Sequence, residues 1–330
     1  MGKIGICIAG YGAFGRKLHG YLSKIEDYEV RCIYHPDEVK AKSHGPLGAH
    51  ILGRVLGNEA INAFVIATPN DQHSDLIRWI FEVGRQHIFV EKPMTGSYAE
   101  AKEIAKVVDG RVFMVGHCQR RESVFRKAKN LISSGIIGKV VNLTFNFSHG
   151  GAYNVDSANW RCSSARNREG SLAMLGTHCI DTILHLLGPV KSVYARLANL
   201  SEKTEAPDTS AVFLEMNSGA SAFFQSNYNT PSEKRCEIFG TEGVIYIDRD
   251  RIWLRIGRDQ NQNGRFIPSE LQRMATDGTD PIEEELREFA KVIRSGGKVE
   301  TGFMAGFEVM RVMEAIYQSA VQNTPQRLSY

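Results

Sequence analysis

Apolar residues in the first third of the chain fall into short, nearly unbroken runs. Residues 3–9 (KIGICIA), 29–34 (EVRCIY), 63–68 (AFVIAT), 87–90 (HIFV) and 112–115 (VFMV) are strand-length and rich in residues that suit a pleated surface. Hydrophobicity that is continuous rather than alternating predicts parallel strands covered on both faces. Between these runs the spacing becomes helical, near Ala13–Ser23, Asp71–Val83 and Ser97–Val108; in the second of these Leu76, Ile77, Ile80 and Phe81 share a face. Repeated β-α-β units predict a doubly wound parallel sheet.

After about residue 119 the period changes. Residues 139–147 (KVVNLTFNF) alternate, with Val141, Leu143, Phe145 and Phe147 expected on one face. Similar runs recur at 191–197, 210–216, 220–228, 235–240 and 244–248, with turns such as Asn217-Ser218-Gly219 between them. A helix is expected near 170–187. Two more are expected near 282–295 and 303–322, the first opened by Pro281 and a Glu283-Glu284-Glu285 run that suits the positive end of a helix dipole. The fold class is therefore α/β plus α+β. An N-terminal domain of Rossmann type (1–119) is expected to precede an α+β domain (120–330) with an open, largely antiparallel sheet flanked by helices.

Composition narrows the functions. The 330 residues carry a net charge of +3, are 42% hydrophobic and 23% charged, and so read as ordinary globular domains. That balance gives no electrostatic case for nucleic acid or an anionic membrane, and no run approaches the ~20 apolar residues of a membrane helix. The first apolar run leads straight into a glycine loop rather than a cleavage site, so a cytoplasmic protein is expected. The six cysteines are scattered without a C-x-x-C pair, as reduced structural thiols would be.

Gly10-Tyr11-Gly12-Ala13-Phe14-Gly15 follows the first strand and opens the first helix. In that context Gly10 permits the tight turn, Gly12 lets backbone amides approach a pyrophosphate, and Gly15 allows close helix–strand packing. The helix start adds unpaired N–H groups and a positive dipole. A ribose-reading acid is expected about 20 residues on. Tyr34-His35-Pro36 occupies that place, with Asp37 and Glu38 slightly late. His35, with Lys40 and Lys42, suits a 2′-phosphate, so NADP is expected, with NAD possible.

Glu91-Lys92-Pro93 follows a parallel strand directly, which sets Lys92 at the carboxyl end of the sheet, where such folds bind ligands. A lysine there can donate to a substrate oxygen. With the glycine loop, the run Thr68-Pro69-Asn70 with His73, Trp160-Arg161 and the segment Gly170–Asp181, the chain resembles the Gfo/Idh/MocA family of NAD(P)-dependent oxidoreductases over essentially its whole length. The resemblance implies a nicotinamide cofactor, a sugar- or polyol-like substrate, and a homodimer or homotetramer formed through the C-terminal sheet. It implies Lys92 and His178 as catalytic residues. Gly10, Gly12, Ala13, Phe14, Gly15, His35, Thr68, Pro69, Asn70, His73, Glu91, Lys92 and Gln119 are expected around the cofactor. Tyr153, Trp160, Arg161, Met174, Thr177 and His178 are expected beside the substrate, with walls supplied by the loops 149–169 and 257–281.

His178 and Asp181 lie three residues apart, so a carboxylate could tune the imidazole as a general base. Four residues before His178 the family typically has aspartate; this chain has Met174. His178, Asp181 and His185 share a helical face, but no further metal ligand stands at a suitable spacing, and no metal is expected. The leading function is hydride transfer between nicotinamide and a secondary alcohol or ketone of a sugar, amino sugar or cyclitol. The alternatives are a silent dinucleotide-binding sensor of the same fold and an oxidation–elimination enzyme.

Overall fold

The structure, a computed structural model, describes residues 2–156, 158–257, 259–260, 265–267 and 269–329. The chain forms two compact units: residues up to Cys118 with Ile282–Met310, and Gln119–Pro281 with the residues from Arg311 onward.

The first unit is built on strands β1 (Ile4–Ala9), β2 (Tyr28–Tyr34), β3 (Gly48–Ala49), β4 (Ala63–Ile66), β5 (His87–Glu91) and β6 (Phe113–Gly116). They lie in the order β3-β2-β1-β4-β5-β6 with every pair parallel. Helices α1 (Ala13–Leu22), α2 (Glu38–Lys42), α3 (Leu52–Leu56), α4 (His73–Glu82) and α5 (Tyr98–Ile104) connect them. The strand order reverses between β1 and β4, so the loops after these two strands meet at the sheet's switch point, where such folds bind dinucleotides.

The core of this unit joins Ile4, Ile6, Ile8, Leu18, Leu22, Val65 and Phe89 to Ile282, Leu286, Phe289 and Ala290. These last four come from α8 (Pro281–Ser295). Tyr28 Oη also donates to Leu286 O at 2.5 Å. The sequence reading left 282–310 with the second domain; its apolar face instead completes the first core. Helix α9 (Phe303–Gln322) starts here, with Phe303 edge-on to Phe113 at 5.7 Å.

The second unit holds a nine-stranded sheet in the order β16-β13-β12-β11-β7-β10-β9-β8-β17. Its strands are β7 (Val140–Ser148), β8 (Val190–Ala198), β9 (Thr209–Met216), β10 (Ser221–Asn227), β11 (Glu233–Gly240), β12 (Gly243–Asp248), β13 (Arg251–Ile256), β16 (Gln272–Met274) and β17 (Gln326–Arg327). Strands β14 (Asp259–Gln260) and β15 (Phe266–Ile267) form a separate ribbon. Only β7 and β10 of the large sheet run parallel. Helices α6 (Ser123–Ser133) and α7 (Thr177–Leu187) pack against it.

Two sequence expectations change. Val141 is 49% exposed while Leu143 and Phe145 are buried, because the β7–β11 register shifts beside Val141 and turns it outward. Helix α6 falls in a span read as unassigned, although Val124, Phe125, Ala128 and Leu131 all face inward. Among the described residues no helix is long and apolar enough to cross a membrane. All six cysteines are free of disulfides.

Candidate active site

The glycine loop has the geometry its residue types require. Gly10 adopts φ +91, and a Cβ there would sit 2.5 Å from Thr68 N. A Cβ on Gly15 would sit 2.1 Å from Gly10 O, so only glycine allows α1 to pack this closely. Gly12 differs: its φ is −71 and a Cβ would meet no atom within 4 Å. It caps α1 without a side-chain hydrogen bond, so the first-turn amides keep their donors for a ligand. Beside the loop, Thr68 Oγ1 and Asn70 Oδ1 are buried with no protein hydrogen-bond partner among the described residues. An open cradle at Gly12, uncapped amides and two such oxygens fit a dinucleotide pyrophosphate and its ribose.

At the end of β2 the acids are already engaged. Asp37 Oδ1 accepts from Lys40 N at 3.0 Å and caps α2, and Glu38 pairs with Lys42 at 2.6 Å. His35 Nδ1 accepts from Asp37 N at 3.0 Å. The capping amide holds Asp37 below the usual carboxylate range, and Lys42 does the same for Glu38.

His73, expected at the cofactor, lies between two turns at the same sheet end. It is 1% exposed, with Nδ1 3.0 Å from Pro93 O and Nε2 3.0 Å from Thr68 O. Burial lowers its pKa despite these carbonyls. With both ring nitrogens held by main chain, His73 ties the Thr68-Pro69-Asn70 turn to the Lys92-Pro93 turn. The Lys92-Pro93 peptide is cis. Glu91 ends β5 almost fully buried, its carboxylate against Gly116, and burial pushes its pKa up to about 7 against the opposing pull of Lys92. Lys92 itself is half-buried at the carboxyl end of the sheet.

In the second unit a π-helical turn, Leu172–Gly176, runs directly into α7; such turns recur at functional sites. From Gly170 to Ile183 every residue is buried except Met174 and His178. Thr177, expected beside the substrate, is 0% exposed, and its Oγ1 is buried with no protein hydrogen-bond partner among the described residues.

Gln119, expected at the cofactor, is tied to α7 through its amide nitrogen. Its Nε2 donates to His178 O at 3.3 Å and to Thr182 Oγ1 at 3.0 Å, so it supports α7. Arg120 grips Asp181 through both oxygens, at 2.9 and 2.5 Å, with side chains only 9% and 1% exposed. Asp181 therefore anchors the helix through Arg120. The Gln119-Arg120 run after the last Rossmann strand was the available signal, but its partners lie some sixty residues away. No group of three His, Cys, Asp or Glu among the described residues is arranged to hold a metal.

The ring of Phe147 meets that of His178 edge-on at 5.7 Å. Phe147, Val155 and Met174 pack against Ala152, Leu175 and Tyr228. Of the remaining candidates, Arg161 stacks on Trp160 at 4.7 Å, and its charge opposes the rise that burial gives the Tyr228 phenol. Tyr153 is 58% exposed. Ser157, Arg258, Pro268 and 261–264 in the expected wall loops lie outside the described residues.

Residues 4–117 match an oxidoreductase family with an NAD-binding Rossmann fold, and residues 125–246 match the GFO/IDH/MocA C-terminal domain. The chain belongs to the Gfo/Idh/MocA family. As a member it is an NAD(P)-dependent oxidoreductase, with the parallel sheet as its dinucleotide-binding domain. Among family relatives it is 26% identical to the scyllo-inositol 2-dehydrogenase (NADP(+)) IolW of Bacillus subtilis, over 96% of this chain and 93% of that one. A solved structure of a candidate NADPH-dependent oxidoreductase from Desulfitobacterium hafniense superposes with a TM-score of 0.90 at 26% identity, covering 99% and 98% of the two chains. Levoglucosan dehydrogenase in complex with NADH shares the fold at TM-score 0.88 and 21% identity, covering 99% and 100%.

Proposed function

We propose that this enzyme transfers a hydride between NADP and a secondary alcohol or ketone of a sugar, amino sugar or cyclitol. The observation that carries this reading is the Gly12 cradle, built at the same sheet end as Lys92 and tied to its turn through Thr68, His73 and Pro93. The inositol and levoglucosan dehydrogenases among its relatives support the substrate class. The engagement of Asp37 in capping α2 and of Glu38 with Lys42 supports NADP, because a ribose hydroxyl would have to compete with those partners for either carboxylate.

When bound, the nicotinamide supplies the hydride donor or acceptor. Lys92 donates a hydrogen bond to the reacting oxygen and stabilises negative charge as it develops there. His178 takes the hydroxyl proton during oxidation and returns it during reduction. Gln119 and Arg120 hold the first turn of α7, and with it the His178 backbone. Copies of the chain pair through the open sheet. Tyr194, Phe213 and Phe223 support this: they lie opposite one another on β8, β9 and β10, and are 44%, 45% and 37% exposed.

The test is a cofactor-fluorescence titration followed by a polyol and keto-sugar screen, then single-turnover hydride transfer at saturating cofactor. Lys92→Met removes one preorganised donor at similar volume and should slow that step about 100- to 1000-fold while leaving cofactor affinity intact. His178→Asn should slow it by loss of the proton relay. Tight dinucleotide binding without turnover on any substrate would favour the sensor. A wild-type rate in the Lys92 variant would remove Lys92 from the chemistry.

A further inference from the structure

The wall beside His178 is hydrocarbon. Met174 and His178 are the two side chains of 170–183 that reach outward, and they stand one turn apart. Phe147 bears on both sites: its ring meets His178 edge-on at 5.7 Å, and with Met174 and Val155 it packs against Ala152, Leu175 and Tyr228. Met174, Phe147 and Val155 are only partly buried, so this cluster keeps an accessible apolar face next to the imidazole. Polar groups border the cluster at Tyr228, whose phenol feels the Arg161 charge. His149 packs on Tyr228 at 5.1 Å, with its Nδ1 taken by Gly151 N at 3.1 Å.

A polyol carries a hydroxyl on nearly every carbon. A hydroxyl set against Met174 and Phe147 gives up its water partners and finds none in return, whereas a methyl or methylene group placed there gains burial. We infer that the substrate presents a hydrocarbon group to this wall, beside the reacting carbon: a deoxy sugar or deoxy cyclitol rather than its fully hydroxylated counterpart. The Met174 side chain is the specificity-determining group. The inference rests on the placement of His178 at the reacting oxygen proposed above.

The probes are matched pairs that differ in one hydroxyl: D-galactose with D-fucose, D-mannose with D-rhamnose, D-glucose with its 2-deoxy and 6-deoxy forms, and myo-inositol with a deoxyinositol. Binding is measured by calorimetry on the holoenzyme, and kcat/KM is measured in parallel. For the best pair the deoxy member should win by about ten- to a hundredfold in wild type. Met174→Leu, which keeps the wall apolar, should retain that preference. Met174→Asp should erase or reverse it with cofactor affinity unchanged. Tighter binding of the hydroxylated member in every pair overturns the inference, as does a preference that Met174→Asp leaves untouched. If the deoxy preference appears in binding while turnover is absent throughout, the inference stands and the hydride-transfer reading falls.

Discussion

Gly12 and Gly15 lie three residues apart in one motif, yet the structure gives them opposite tasks. At Gly15 a Cβ would stand 2.1 Å from Gly10 O and 3.1 Å from Gly10 C, both backbone atoms that cannot swing aside. Gly15→Ala should therefore destabilise the first unit by about 3 kcal/mol, the upper end for overpacking, and lower Tm by roughly 6–12 °C. At Gly12 the space is open and φ is −71, which any residue adopts. Gly12→Val should cost about 1 kcal/mol, mostly as a poorer helix cap, and move Tm by no more than ~4 °C. Its effect falls on the ligand. A side chain there keeps the pyrophosphate from the first-turn amides. Losing two charge-assisted hydrogen bonds at ~1.5–3 kcal/mol each weakens Kd by at least about 100-fold. The assay pairs thermal unfolding with fluorescence titration of NADPH on both variants. A folded Gly12→Val protein with wild-type affinity would refute the cradle, and a Gly15→Ala protein that melts like wild type would refute the packing argument.

Three further outcomes are expected. His35→Asp places an unengaged carboxylate at the end of β2 and should shift the NADPH-to-NADH affinity ratio toward NADH by about tenfold, read by the same titration; a wild type that already prefers NADH overturns the NADP assignment. Burial raises Glu91 from 4.5 to about 7, so the folded state holds its proton more tightly than the unfolded chain does. The stability this contributes is complete below the unfolded pKa and is lost as pH rises through about 7; relative to Glu91→Gln, wild type should lose about 3 kcal/mol between those limits in urea unfolding, and parallel pH profiles would count against it. Asp181→Asn leaves the Arg120 guanidinium buried without its counter-charge and should lower unfolding free energy by about 3–5 kcal/mol; a neutral effect would show that the pair does not anchor α7.

Local pattern carried much of this protein. The apolar run Ile4–Ala9, the glycine spacing after it and the helix that follows depend on residues close together in the chain, where backbone sterics and burial period act directly. The change of period after about residue 119 likewise announced the second sheet. Tertiary structure decided what contact partners decide. The sequence does not show that the His73 nitrogens meet Thr68 O and Pro93 O, the latter twenty residues away. Asp181 reads from the chain as a neighbour of His178, and only the fold brings Arg120, sixty-one residues earlier, onto both its oxygens. Residues 282–310 read as part of the second domain until Leu286 and Phe289 close the first core. Met174 is one apolar residue in an apolar run, and only the inward packing of its neighbours leaves it beside His178 and Phe147. In each case the deciding interaction spans a sequence separation over which periodicity holds no information, because a side chain's partners follow from how whole elements pack rather than from its neighbours along the chain.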